Sequence, residues 1–262
     1  MRITTRNARF QQWQALLTNR TKRQRLGEFL VHGVRPITLA VQRQWDIRAL
    51  LYDADRPRSR WASELLDGTG ATTVAMAGEL LRELGEKDET PPELVAVVGL
   101  PPDDLRRITL DPPALAVVLD RPASPGNIGT LVRSVDAFGG SGVIVTGHAA
   151  DVYDPKAVRA STGSLFAVPV VRVDSPGEVV DWARGHGLTV IGTDESGEVD
   201  LIDADLTAPT LLVIGNETVG LSTGWREACD RLVRIPMSGS ASSLNAATAG
   251  SILLYEAARQ RR

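Results

Sequence analysis

The sequence predicts an α/β protein built as two successive units, a smaller one over residues 1–105 and a larger one over 106–262. Three observations carry that reading. Short apolar runs alternate with helix-like segments along the whole chain. In the second half those runs, ALAVVLD at 114–120 and GVIVTG at 142–147, have few polar positions. Strands of that kind belong to parallel sheets covered on both faces. Between the halves lies PPDDLRRITLDPP at 101–113, whose prolines and charges mark a linker and set the boundary near 105.

The elements follow in order. Phe10, Trp13 and Leu17 recur at helical spacing in RNARFQQWQALL, which predicts a helix. A basic turn is expected from Arg20 to Arg25. FLVHG reads as a strand, VRPITLAVQRQ as a helix and IRALLY as a second strand. Residues 59–67 read as a helix, TTVAM as extended, GELLRELG as a helix and LVAVVGL as a buried strand. In the second half Ile128, Leu131, Val132, Val135 and Phe138 form one helical stripe between the two apolar strands. AVPVVRV, LTVIGT, TLLVIG and LVRIP are further strands, and Leu244 to Arg262 reads as a terminal helix.

Composition excludes several classes. The 262 residues are 43% hydrophobic and 23% charged, as in an ordinary globular chain. The apolar runs are far shorter than the ~20 residues of a membrane helix, so no membrane partner is expected. The first residues lack the apolar core of a secretory signal. A single cysteine leaves no intramolecular disulfide or cysteine-based zinc site and suits a cytoplasmic location. His148, Asp151 and Asp154 read as a turn and helix start, so no metal is expected. The net charge of -3 hides an asymmetry. Residues 1–60 hold 13 Lys/Arg against 4 Asp/Glu, and the rest hold 16 against 28. A basic end of that kind suggests a polyanion.

Ligand sites of a parallel sheet lie beyond the strand C-termini. Three such segments stand out. In RPASPGNIGTLVRSVDAFGG (121–140), Pro125–Gly126 suggests a turn, Asn127 a helix cap, and Arg133 lies off the apolar stripe. In VIGNETVGLS (213–222), Gly215 and Gly220 permit close backbone approach to a ligand. In IPMSGSASSLNAATAG (235–250), Ser242, Ser243 and Asn245 sit where a helix begins. Neither a GxGxxG after a strand nor a GKS/GKT is present, so dinucleotide and P-loop sites lack their fingerprints. Taken singly, each segment reads equally as an ordinary capped turn.

Together, and in this order, the three segments resemble the motifs of the SpoU (TrmH-type) 2′-O-ribose RNA methyltransferases of the SPOUT superfamily. The first motif matches through Pro125, Asn127, Gly129, Arg133, Phe138 and Gly139. The second matches through Gly215, Glu217, Gly220 and Leu221, and the third through Ile235–Met237 and Ser243–Asn245. That likeness covers residues 114–262. One departure is Asn245-Ala-Ala, where many members have Asn-Val-Ser. Within the family, residues 2–17, 27–41, 147–166 and 240–248 resemble a branch acting on a uridine of 23S rRNA and linked to resistance to avilamycin-type (orthosomycin) antibiotics.

The resemblance implies a C-terminal SPOUT domain with a trefoil knot, an N-terminal L30e-like RNA-binding domain and a homodimer. It implies S-adenosylmethionine as cofactor, held by Thr193, Gly215, Glu217, Gly220, Ile235, Met237 and Leu244. Arg133 is expected to act on the ribose hydroxyl, with Asn127, Ser243 and Asn245 orienting it. Arginine stays protonated above about pH 12, so stabilisation of the alkoxide and its phosphate fits better than proton abstraction. Glu217 is expected to order its loop. Candidate phosphate contacts are Arg20, Lys22, Arg23, Arg25, Arg35 and Arg159. Trp13 and Phe10 read as core. The terminal helix, through Ile252, Leu253 and Tyr255, is the candidate dimer face. The same chemistry on another rRNA nucleotide or on tRNA stays open, as does a non-catalytic RNA-binding role.

Overall fold

A computed structural model describes residues 1–86 and 91–262. The chain forms two compact units. One comprises Met1–Pro101 with Tyr153–Val158, and the other comprises Pro102–Val152 with Arg159–Arg262.

The first unit runs β1 (Arg2–Ile3), α1 (Ala8–Thr18), α2 (Arg20–Leu26), β2 (Glu28–His32), α3 (Val34–Gln42), β3 (Ile47–Asp53), α4 (Arg60–Gly68), β4 (Thr72–Met76), α5 (Gly78–Leu84) and β5 (Leu94–Gly99). Its five strands lie in the order β1-β4-β3-β5-β2. β5 is antiparallel to β2 and β3, whereas β3 and β1 pair with β4 in parallel. The Asn7 side chain caps α1 by accepting the Phe10 N–H, which leaves Phe10, Trp13 and Leu16 buried on one face. Leu16 rather than Leu17 completes that stripe. These residues pack on Leu30, Leu51, Val74, Leu80 and Val97.

The basic segment is not a turn. Asn19 caps it by accepting the Lys22 N–H, and it forms the helix α2, ending at Gly27 with φ 62°. The helix carries Arg23 inward. Arg23 is 2% exposed. It donates to the carbonyls of Leu16 at 2.6 Å and Leu17 at 3.3 Å and faces Asp154 Oδ2 at 3.4 Å. It is therefore a buried strut of this unit and is withdrawn from the candidate phosphate contacts. Replacing Arg23 with Ala orphans buried acceptors and should cost about 3 kcal/mol. Replacing the exposed Arg25 should cost less than about 0.5 kcal/mol. Urea unfolding of both variants checks the contrast.

The second unit continues with β6 (Leu115–Asp120), α6 (Pro125–Ala137), β7 (Gly142–Thr146), α7 (Pro155–Ala160), β8 (Val170–Val173), α8 (Pro176–Gly185), β9 (Thr189–Thr193), β10 (Val199–Asp200), β11 (Thr210–Ile214), α9 (Thr223–Ala228), β12 (Arg231–Arg234) and α10 (Ala246–Gln260). Residues 155–158 of α7 belong to the first unit. Seven strands, all parallel, take the order β10-β12-β9-β11-β6-β7-β8. Every residue of β6, β7 and β11 is buried, which explains why each is apolar except for one terminal residue, Asp120, Thr146 or Thr210. The chain moves outward from β6 to β8 and then returns to build β9–β12 on the other side of β6. The strand order thus switches between β6 and β11, and the loops that follow these two strands lie side by side.

Two contacts fix α10. It packs on α6, where a Cβ added at Gly250 would come within 2.4 Å of Leu131 Cδ1. Leu253 and Leu254 are wholly buried, so Leu253 belongs to the core and not to a candidate dimer face. Beyond α10, Arg261 donates from Nε to the Leu206 carbonyl and from its two terminal nitrogens to Pro113, Ala114, Ala208 and the Thr210 hydroxyl. All five guanidinium N–H donors are thereby used.

Candidate active site

The first motif begins where β6 ends. Ser124, not Asn127, caps α6: its hydroxyl accepts the Asn127 N–H at 3.4 Å, and Pro125 occupies the first helical turn. Proline suits that position because its missing N–H has no partner to lose there. Pro125–Gly126 therefore opens the helix instead of forming a separate turn. Asn127, released from capping, points its side chain across to the other two motifs.

The second motif is a small closed loop. Asn216 and Gly220 exchange backbone hydrogen bonds at 3.0 Å each, while Asn216 Oδ1 accepts the Thr218 and Val219 N–H groups. Gly220 has φ 66°. A Cβ at Gly215 would stand 2.5 Å from the Gly220 carbonyl carbon, so only glycine fits there. The tight loop lifts Glu217 toward α6. Its carboxylate accepts the Ala123 N–H at 2.9 Å, the Ser124 N–H at 3.2 Å and the Asn127 amide at 2.8 Å. Burial pushes the Glu217 carboxyl up, but the hydrogen bonds it accepts outweigh this and hold it below its ordinary value.

The third motif closes the constellation. Asn245 Oδ1 caps α10 through the Ala247 and Thr248 N–H groups, and its Nδ2 donates to Asn127 Oδ1 at 3.0 Å. A relay Asn245–Asn127–Glu217 thus joins all three motif loops. Ser243 is exposed beside it.

A cavity of about 450 Å³ opens among the loops after β9, β11 and β12, a size suited to a small-molecule ligand. Thr193, Gly215, Glu217, Gly220, Ile235, Met237 and Leu244 all line it, with Ser243. The structure therefore brings together the seven residues expected at the cofactor. It also adds residues that the sequence analysis missed. Asp194 and Arg226 line the cavity and form an ion pair. Burial raises the Asp194 carboxyl, while Ser196 and Arg226 pull it lower, leaving it below the ordinary range. Asp194 directly follows the C-terminal end of β9, a position that could have drawn attention; nothing in the spacing marks Arg226.

Arg133 lies on α6, is exposed and does not line the cavity. Among the described residues it makes no hydrogen bond or ion pair within the chain. Arg20, Arg25 and Arg35 are exposed in the first unit, Lys22 is half-buried there, and Arg159 is exposed in the second. The Cys229 thiol is pushed up to about 12 by burial, with the neighbouring Asp230 charge adding to it, so it is a poor nucleophile. Among the described residues no group of three or more His, Cys, Asp or Glu could hold a metal ion. No helix of the described chain is long and apolar enough to cross a membrane.

A parallel sheet with a strand-order switch, a glycine-built cavity beside it and an Asn–Asn–Glu relay define the site. The chain belongs to the SpoU rRNA methylase family, whose signature matches residues 114–255, and residues 7–96 match the SpoU L30e-like domain. It is 63% identical, over 99% of its own length and 92% of the relative's, to the 23S rRNA (uridine(2479)-2'-O)-methyltransferase of Streptomyces viridochromogenes. The crystal structure of the SpoU methyltransferase AviRb from that organism, in complex with the cofactor AdoMet, superposes with a TM-score of 0.93 at 62% identity and covers 98% of each chain. An AdoMet-bound rRNA methyltransferase from Sinorhizobium meliloti matches with a TM-score of 0.89 at 31% identity, covering 99% of this chain and 97% of that one.

Proposed function

We propose that this chain transfers a methyl group from S-adenosylmethionine to the ribose 2′-oxygen of a uridine in 23S rRNA, as a cytoplasmic homodimer. The observation that carries the reading is the cavity, which gathers residues of the second and third motif loops and of the loop after β9, far apart in sequence. Its chemistry fits the cofactor. The backbone comes close at Gly215, and of the three acidic residues lining the cavity two are occupied, Asp194 by Arg226 and Glu217 by three donors, while Glu195 is exposed. When bound, the cofactor supplies an electrophilic methyl group on a sulfonium.

The chain's own residues then have separable tasks. Glu217 and Asn127 hold the β6 and β11 loops in register, and Asn245 ties the third loop to them. Ser243, exposed beside this relay, is free to orient the ribose hydroxyl. Arg133 contacts the adjacent phosphate and stabilises the developing alkoxide, while the hydroxyl proton leaves to phosphate or water. Placement supplies much of the acceleration. The Arg133 side chain has no partner among the described residues and lies outside the cavity, which supports its serving a substrate held between two copies. The outer face of α10 is the proposed interface, centred on Tyr255, which is 55% exposed with the Phe138 ring edge-on at 5.9 Å, and on Ile252. The trefoil knot and protection against orthosomycin antibiotics belong to the same reading.

The first unit is the proposed RNA grip, through Arg20, Lys22, Arg25 and Arg35, with Arg159 as a phosphate clamp in the second. Four phosphate contacts predict a loss of affinity of about a hundredfold for an rRNA fragment between ~50 and ~200 mM salt. Each arginine replaced by alanine should lower the salt slope by about one. An affinity indifferent to salt would count against this grip.

The deciding experiment incubates the purified chain with labelled S-adenosylmethionine and 23S rRNA, then digests the RNA for mass mapping. A single 2′-O-methyluridine is expected. Label on a base, on tRNA alone or nowhere would overturn the reading, and a monomer in sedimentation would overturn the dimer.

A further inference from the structure

We propose that Arg121 is a positioning residue for the cofactor loop, clamping the 216–220 loop to the end of β6 and so setting cofactor affinity. The inference rests on the proposed cofactor site, and nothing in the motif comparison points to this residue.

The backbone at Arg121 is the starting observation. It has φ 50°, a left-handed conformation that is strained for a non-glycine residue. Such an outlier persists where the surroundings hold it in place. Here its backbone N–H, its carbonyl and two of its three guanidinium nitrogens are engaged. Its N–H donates to the Thr146 carbonyl at 2.9 Å, and its own carbonyl accepts the Asn216 amide at 2.7 Å. Its guanidinium forks onto Asp120, Nε to Oδ1 and a terminal nitrogen to Oδ2, both at 3.1 Å. The same terminal nitrogen donates to the Gly220 carbonyl at 3.1 Å. The side chain runs past Gly147, where a Cβ would come within 2.8 Å of Arg121 Cγ.

Asp120 extends the clamp to the far side of the loop. Its carboxylate is 2% exposed and accepts the Ser222 N–H at 2.6 Å. Arg121 and Asp120 together therefore grip the loop at Asn216, at Gly220 and at Ser222. Gly215, Glu217 and Gly220 of that stretch line the cavity. The Gly220 carbonyl keeps its bond from the Asn216 N–H without Arg121, so loss of the guanidinium should loosen the loop without unfolding it.

Glycine is the informative replacement. Arg121→Gly relieves the left-handed strain but leaves the buried Asp120 carboxylate with only the Ser222 N–H, so stability falls whatever the role, whereas a residue with no positioning role would leave cofactor binding intact in the folded variant. The expected result is a lowered melting temperature in a still folded protein, with S-adenosylmethionine bound about tenfold more weakly, the loss of one charge-assisted hydrogen bond. The Michaelis constant for cofactor should rise more than the turnover number falls. Added guanidinium should restore affinity in Arg121→Gly, and sodium chloride at equal ionic strength should not. Arg121→Lys, which keeps the cation but loses the fork, should fall between the two. Calorimetry of the unaltered chain separates the two levels of inference. If it binds no S-adenosylmethionine, the cofactor reading fails. If it binds and Arg121→Gly binds equally well, or guanidinium restores nothing, the positioning role is overturned. Should Arg121→Gly fail to fold, Arg121→Lys decides by the same calorimetry, and unchanged affinity overturns the role.

Discussion

Replacing Arg133 with alanine should reduce methyl transfer by about a thousandfold while S-adenosylmethionine binds as before. The size follows from removing a charged donor that acts where negative charge develops on the 2′-oxygen. The selectivity follows from placement: Arg133 is exposed and outside the cavity, and its side chain bonds to none of the described residues. For the same reason folding stability should change by less than about 0.5 kcal/mol. Single-turnover rates and calorimetry on one preparation check both halves. Retained transfer, or lost cofactor binding, would sink the assigned role. Lysine should recover only part of the rate, since it lacks the planar fork that matches phosphate.

Glu217→Gln should instead damage structure and function together. The native carboxylate accepts three hydrogen bonds, two from backbone N–H groups. A glutamine presents one oxygen and one NH₂ group, so at least one donor meets another donor. A loss of about 2 kcal/mol is expected, moderated because the group is half-exposed. Cofactor affinity and transfer should both fall at least about tenfold, because the relay to Asn127 and Asn245 loses its anchor. The pH dependence has a definite sign. The folded carboxyl lies below its ordinary value of 4.5, so its contribution is complete above that value. It is lost as pH falls through the depressed folded value. The stability gap between the two proteins should therefore close in acid, which denaturation curves across pH 3 to 7 will read (roughly the range over which carboxylates titrate). A gap that is constant or widens in acid would contradict the assignment.

Much of this architecture is legible in the chain because buried parallel strands leave no choice of residue. The runs at 114–120, 142–147 and 210–214 are apolar but for a polar residue at or near one end (Asp120, Thr146, Thr210), since both faces are covered, and each became a strand. What local pattern misses is direction and partnership. β5 has the same apolar character as β6 yet runs antiparallel to its neighbours, a fact set by the fold around it. Two-residue strands such as β1 and β10 are too short to carry periodicity. At the site, residue types were legible and their connections were not. Asn127 has the chemistry of a helix cap, but Ser124 took that role, and the partners of Asn127 stand 90 and 118 positions away. Arg23 shows the limit of charge counting. It sits among six other basic residues in the first 25, and only its helix phase decides that it turns inward. Leu253 fails as a surface candidate for the same reason.

The guanidinium of Arg261 has a mechanical consequence. It grips the Pro113 and Ala114 carbonyls just before β6, the Leu206 and Ala208 carbonyls before β11 and the Thr210 hydroxyl at the start of β11, two adjacent strands in the middle of the sheet. A load pulling on the last residue passes through five parallel hydrogen bonds into the centre of the sheet before it can peel α10 from α6. The chain end should therefore yield in shear, at higher force than the sequential unzipping expected of a terminal helix that rests on the surface alone.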